Sequence, residues 1–164
     1  TMKGSPLTLL GKEVRSGDSA PDFKALDQAL KEVSLNDFKG KIVVIAAVPS
    51  LDTPVCDLQI KRFNDEAAKL SKDIKVLFVS MDLPFAQKRF CQEFSIKKVV
   101  TLSDHRDADF GMKYGVLIKE LRLLSRAVFV IDSCGKVAYV EYVKELGHQP
   151  NYDAVLETIA KITK

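Results

Sequence analysis

The chain has 164 residues, 46% of them apolar and 29% charged, which suits one domain over residues 1–164 with one core and excludes a disordered or fibrous protein. Its formal net charge of +3, from 25 basic and 22 acidic side chains, is too small and too dispersed for a nucleic-acid-binding surface. No apolar run approaches the ~18 residues of a membrane helix and the first residues lead into no signal-peptide core, so a cytoplasmic protein with no nucleic-acid or membrane partner is expected.

Residues 3–10, broken by Gly4, Ser5 and Pro6, are compatible with a small N-terminal hairpin. The turn cluster from Gly17 to Asp22 leads into a strand over 23–26, with 32–35 as its partner. Residues 36–40 read as one helical turn closed by Gly40. Residues 42–48 form a β-branched run that is apolar on both faces, as in a central parallel strand. From Cys56 the apolar positions Ile60, Phe63, Ala67 and Leu70 lie on one helical face, and Asp73 closes that region. A strand is expected over 74–81. Pro84 then suits the first position of a helix continuing over 85–94. A short strand over 99–102, a short helix over 107–114 ending at Gly115, and a β run over Ala127–Ile131 follow. Residues 132–135 turn the chain, 136–143 return antiparallel, and 151–163 form an amphipathic helix with Tyr152, Val155, Leu156, Ile159 and Ile162 inward. Alternating β and α elements with a final hairpin predict an α/β fold, a mixed sheet with helices on both faces. Ligands of such sheets sit beyond the C-terminal ends of the strands.

Cys56 lies at that place. A strand stops at Val48, turns through Pro49 and Pro54, and delivers the cysteine into the first turn of a helix. Unpaired N–H groups and the helix dipole there favour a thiolate over a thiol. A plain core cysteine would also fit this face. Charge alone gives little. Lowering a thiol pKa from ~8.5 to ~6 raises the ionised fraction at pH 7 about thirtyfold but weakens the nucleophile about tenfold. A fast thiol must therefore also position and polarise its substrate. The Thr53 hydroxyl and the amides of Val55 and Cys56 are candidate donors, and Arg126, at the head of the 127–131 strand, is the candidate cation, with a solvated surface arginine as the alternative. Cys91 is a second thiol with which a sulfenic acid could condense, although alone it reads as a core residue. Cys134 falls in an exposed turn and is treated as incidental. Three cysteines without short spacing do not make a structural disulfide framework.

The pattern Pro49-x-x-x-Thr53-x-x-Cys56 resembles the active-site pattern of the peroxiredoxin family. The runs 49–56 and 82–91, with 20–23 and 126–132, resemble its thiol peroxidase branch over nearly the whole chain. The resemblance implies a thioredoxin-like fold with an N-terminal hairpin and no metal or organic cofactor. It implies reduction of hydrogen peroxide and alkyl hydroperoxides, with Cys56 oxidised to a sulfenic acid, Cys91 resolving it as a Cys56–Cys91 disulfide, and thioredoxin reducing that disulfide. Pro49 would shield the site, while Thr53 and Arg126 would hold the thiolate and the peroxide oxygens. A bacterial homodimer is implied as well. Pro54 stands where glycine is also found in similar proteins. Lacking an N–H, it narrows the backbone donors to the residues after it. Because both cysteines begin in helices and a disulfide needs Cα atoms about 4.4–6.8 Å apart, the reduced pair is expected to lie farther apart and to close by local unwinding.

Three rival readings compete. Residues 56–62 spell C-x5-R, the pattern of cysteine-dependent phosphatases, but they carry a helical period, contain no glycine and place Asp57 beside the thiolate. A zinc site lacks paired ligand spacing, with His105 reading as a surface-turn residue and His148 far from it. A non-catalytic thioredoxin-like binding module with inert thiols is the third.

Overall fold

The computed structural model describes residues 1–163. Its strands are β1 (Leu9–Leu10), β2 (Lys24–Leu26), β3 (Glu32–Ser34), β4 (Ile42–Ala47), β5 (Ile74–Ser80), β6 (Val99–Ser103), β7 (Leu117–Ile118), β8 (Ala127–Ile131) and β9 (Val137–Tyr142). Its α-helices are α1 (Pro54–Lys69), α2 (Pro84–Glu93), α3 (Asp109–Lys113) and α4 (Tyr152–Ile162). The main sheet runs β3-β2-β6-β5-β4-β8-β9. β4 pairs parallel with β5 and antiparallel with β8, so the central apolar run forms a mixed sheet of thioredoxin-like type.

The two faces of this sheet make two cores by simple alternation of side chains. Val43, Ile45 and Ala47 of β4, with Phe129 and Ile131 of β8, face one core. Val44 and Ala46, with Val128 and Val130, face the other. The second core is covered by the apolar stripes of α1, α2 and α4, through Ile60, Phe63, Phe90, Val155 and Ile159. The first is covered by Phe23, the short α3 through Phe110, and the β1–β7 ribbon region through Leu117. Cys56 and Cys91 both belong to the three-helix face. Among the described residues no helix is long and apolar enough to cross a membrane.

Three expectations need correction. Residues 3–10 do not form the expected local hairpin: beyond the isolated Met2–Ser5 bridge, Leu9 and Leu10 pair with Ile118 and Leu117. Gly11 lets this ribbon dock, because a Cβ there would stand 2.1 Å from the Met112 carbonyl oxygen. The N-terminal half does hold a hairpin, formed by β2 and β3. The helix expected over 107–114 shrinks to α3 because Ala108 is left-handed, with φ of 50°. The start of α3 is held by Asp104, which accepts from the amides of Phe110 (3.0 Å) and Gly111 (2.8 Å). Leu156, expected inward, is only half-buried, one residue round the helix from buried Val155.

Asp104 carries a pH prediction. Burial lifts its carboxyl to about 6, against the pull of the two amides. Between about pH 4 and pH 6 the folded state therefore holds a proton that the unfolded state has lost. Its contribution to stability is fully present below about pH 4 and disappears as pH rises through 6, by about 3 kcal/mol in all. Carboxyl-carbon NMR should show Asp104 titrating near 6. A midpoint at the ordinary aspartate value would contradict this account.

Candidate active site

β4 ends at Ala47, and the buried Val48 and Pro49 carry the chain over the C-terminal end of the sheet. Ser50 then closes a tight turn, its carbonyl accepting from both the amide (3.3 Å) and the hydroxyl (3.1 Å) of Thr53. Thr53 is the N-cap residue of α1 in extended conformation, but its side chain makes no capping bond to the helix. Pro54 occupies the first turn without an N–H to satisfy. Asp57 supplies an amide bonded back to the Thr53 carbonyl (3.0 Å), so the amides of Val55 and Cys56 lie ahead of the helical ladder. These are the donors expected of an anion site, and they stand in the turn that carries the thiol.

Cys56 is fully buried. The β4–β8 register explains why Arg126 meets it. Ala47 pairs with Ala127, which sets Arg126 beside the end of β4. Alternation then turns its side chain to the three-helix face. Arg126 is 1% exposed and donates from Nη2 to Cys56 Sγ at 3.3 Å. The rest of the guanidinium is fixed by neutral oxygens. Nε and Nη2 donate to the Leu146 carbonyl (3.0 and 2.9 Å), and Nη1 donates to Gln59 Oε1. Gln59, one turn beyond Cys56 on the same buried face, is fully enclosed. On the outer side, Tyr152 donates to Gln149 Oε1, and Gln149 Nε2 donates to the Val55 carbonyl at 3.1 Å.

Cys91 sits in the last turn of α2, 7% exposed, with Sγ 4.0 Å from Thr101 Oγ1. Burial pushes its thiol pKa up, which keeps it protonated and a poor nucleophile where it stands. A groove of about 430 Å³ lies between the first turn of α1 and the second half of α2, lined by Leu51, Thr53, Pro54, Phe90 and Phe94 together with charged Arg89 and Glu93. Cys91 instead lines a separate cavity with Gln28, Gln92 and Ile96. Cys56, Cys91 and Cys134 are all free thiols.

Of the residues expected at the site, the structure brings together Cys56, Arg126 and the first-turn amides, and Pro49 is buried in the loop before them. The Thr53 hydroxyl is nearby, but its hydrogen goes to the Ser50 carbonyl. Cys134 lies apart and exposed, in the turn between β8 and β9. Arg62, the arginine of the C-x5-R spelling, is helical and stacks on Tyr152 with its guanidinium carbon 4.3 Å from the ring centre. Residues 56–62 therefore form no phosphate-wrapping loop. His105 Nδ1 pairs with Ser103 Oγ at 2.9 Å.

Sequence reasoning missed Gln59, the Leu146 carbonyl and the Gln149–Tyr152 pair. A polar residue on the apolar face of α1 is a readable signal for Gln59. A backbone carbonyl such as that of Leu146 leaves no signal.

The redoxin family profile matches residues 15–156. A thiol peroxidase of Oceanobacillus iheyensis is 56% identical over 98% of this chain and 98% of its own length. That of Bacillus subtilis is 56% identical over 100% and 98%. A crystal structure of a peroxiredoxin-like protein from Aquifex aeolicus superposes with a TM-score of 0.92 at 46% identity, covering 98% of this chain and 95% of that one. With a buried cysteine held against Arg126 at the end of a thioredoxin-like sheet, the chain belongs to the redoxin family, in its thiol peroxidase branch.

Proposed function

We propose that this thiol-dependent peroxidase works through Cys56 as the peroxidatic cysteine and Cys91 as the resolving one. The observation that carries the reading is the 3.3 Å bond from Arg126 to Cys56 Sγ at a fully buried position. A buried cation needs an anion. The other partners of Arg126 are the neutral oxygens of Leu146 and Gln59, so the Cys56 thiolate is the group that balances it.

The thiolate attacks one peroxide oxygen. An S–O bond forms, the O–O bond breaks, and its electron pair leaves on the other oxygen, which takes a proton to become water or alcohol. Charge builds on that oxygen in the transition state, where the Arg126 fork and the amides of Val55 and Cys56 stabilise it. Thr53 orients the peroxide through the lone pairs its hydroxyl keeps free, and Pro49 excludes water. The Cys91 thiol then attacks the Cys56 sulfenic acid. An S–S bond forms, the S–O bond breaks, and water leaves.

Sγ of Cys91 rests against Thr101 and lines its own cavity, whereas Sγ of Cys56 faces Arg126. Closing the disulfide thus requires both helix turns to unwind. A dithiol of thioredoxin type returns the enzyme to its starting state. A homodimer in the bacterial cytoplasm completes the reading, with Leu58, Leu83 and Phe85, 52–64% exposed, as apolar area for a second copy to cover.

Counting free thiols after one equivalent of hydrogen peroxide tests the cycle. Wild type should lose two thiols per chain, and Cys91→Ser should accumulate a sulfenic acid or an intermolecular product. Wild type that keeps all its thiols would sink the assignment.

A further inference from the structure

The loop that carries the N-cap of α1 and the helix that carries Cys91 are joined by one chain of hydrogen bonds, and its centre is a residue of the β5–α2 turn. The Asp82 carboxylate accepts from Ser50 Oγ (2.7 Å) and the Leu51 amide (2.8 Å) on one side, and from Ser80 Oγ (2.7 Å) on the other. Beyond Ser50 the chain reaches Thr53, whose amide and hydroxyl both bond the Ser50 carbonyl. Beyond Ser80 it reaches Gln87, a fully buried α2 residue one turn before Cys91. Gln87 Nε2 donates to Ser80 Oγ (3.0 Å) and to the Leu102 carbonyl (2.9 Å). The centre is tied to the sheet as well. Ser80 and Ser103 are register partners at the ends of β5 and β6, and Ser103 Oγ donates to the Asp82 carbonyl at 2.5 Å.

The two halves of α2 are therefore held unequally. The half before Gln87 is bonded to the strand ends. In the half beyond it, Phe90 and Cys91 pack into the three-helix core, but the polar tether is one weak sulfur contact from Cys91 to Thr101 at 4.0 Å, and Lys88, Arg89, Gln92 and Glu93 are exposed. A segment fixed by buried polar bonds resists opening, whereas one with an exposed face and weak contacts opens at low cost.

We propose that Asp82 is a positioning residue for the peroxidase reaction. Through Ser50 it seats the Thr53 turn that frames the peroxide, and through Ser80 and Gln87 it clamps the first half of α2, so that unwinding begins beyond Gln87 and leaves the loop before α1 in place. The proposal rests on the assignment of Cys56 and Cys91 above.

Two rates separate its parts. The first is Cys56 oxidation by hydrogen peroxide in a Cys91→Ser background, and the second is the condensation step itself, disulfide formation from the Cys56 sulfenic acid at saturating peroxide in chains that keep Cys91. Asp82→Ala should slow the first at least about tenfold, because small misplacements around a reacting centre are costly, without slowing the second, because the same change loosens the clamp on α2. Asp82→Asn, which keeps one oxygen acceptor, should recover part of the loss. Gln87→Met keeps the volume and loses both bonds; it should speed disulfide formation at least about threefold and change the second rate more than the first. Ser50→Ala, which removes a single link, serves if Asp82→Ala does not fold, and should slow the first rate at least about threefold.

Wild-type oxidation rates in Asp82→Ala or, failing that, in Ser50→Ala would overturn the positioning role, as would equal slowing of both steps, the mark of a merely structural residue. Slower disulfide formation in Gln87→Met would overturn the clamp. If wild type formed no Cys56–Cys91 disulfide, the assignment of Cys91 and the clamp would both fall. The Cys56 oxidation rates in the Cys91→Ser background would still decide the part of the proposal that concerns Thr53.

Discussion

Arg126→Leu is expected to lower kcat/KM for peroxide by about 10²–10³-fold, the range found when a preorganised transition-state donor is removed. The guanidinium serves three partners from one buried position: Cys56 Sγ, Gln59 Oε1 and the Leu146 carbonyl. Leucine supplies none of these bonds and leaves Cys56 without its cation. It also strands two buried oxygens at about 1–3 kcal/mol each, so turnover must be referred to the folded fraction, monitored by circular dichroism. Arg126→Lys separates charge from geometry. An ammonium keeps the positive charge but cannot hold Leu146 and Gln59 while donating to sulfur, since the planar fork is lost. It should fall between wild type and Arg126→Leu. Wild-type kcat/KM in Arg126→Leu would show that the 3.3 Å contact plays no part in the chemistry.

Arg126 also marks the boundary between what the sequence shows and what it hides. The strands β4 and β8 are legible because their apolar runs are unbroken, and the Cys56 turn is legible because two prolines and a helical period frame it. That Arg126 meets Cys56 depends on an antiparallel register between strands far apart in sequence, which local pattern does not contain. The same limit explains Leu9 and Leu10. They look like half of a hairpin, but their partners are Ile118 and Leu117, in a two-residue strand too short to show any period. Asp82 reads as ordinary turn punctuation before Pro84. Its bonds to Ser50 and Leu51 appear only when the ends of β4 and β5 lie side by side. The start of α3 fails differently: the sequence pattern opens the helix at residue 107, but a left-handed Ala108 delays it and Asp104 reaches the amides from farther back. Thr53 is legible by its place in a motif, but the bond from its hydroxyl to the Ser50 carbonyl depends on the shape of the turn and leaves no sequence signal.

The largest stability effect is expected at Phe110, on the face of the sheet away from the thiols. Its ring is fully buried, edge-on to Phe23 at 4.9 Å, stacked on Tyr114 at 4.6 Å and edge-on to Phe129 at 6.3 Å between centroids. α3 has five residues, too few for a helix to persist on propensity, so this ring and the Asp104 cap hold it to the sheet. Phe110→Ala removes the buried area and leaves a cavity among rings that cannot easily close it, at a cost of about 3–5 kcal/mol. Losing the aromatic pairs pushes the value toward the upper end. Against a total stability of about 5–15 kcal/mol this is a large fraction, and the denaturant midpoint should fall steeply with little change in slope. Phe110→Leu, which keeps much of the volume, should lose less than half as much. Because Cys56 and Arg126 lie on the three-helix face, Phe110→Ala molecules that remain folded should oxidise Cys56 at close to the wild-type rate. A small loss of stability would mean that the ring cluster repacks freely. A large loss of rate among folded molecules would mean that the sheet transmits packing changes from one face to the thiol on the other.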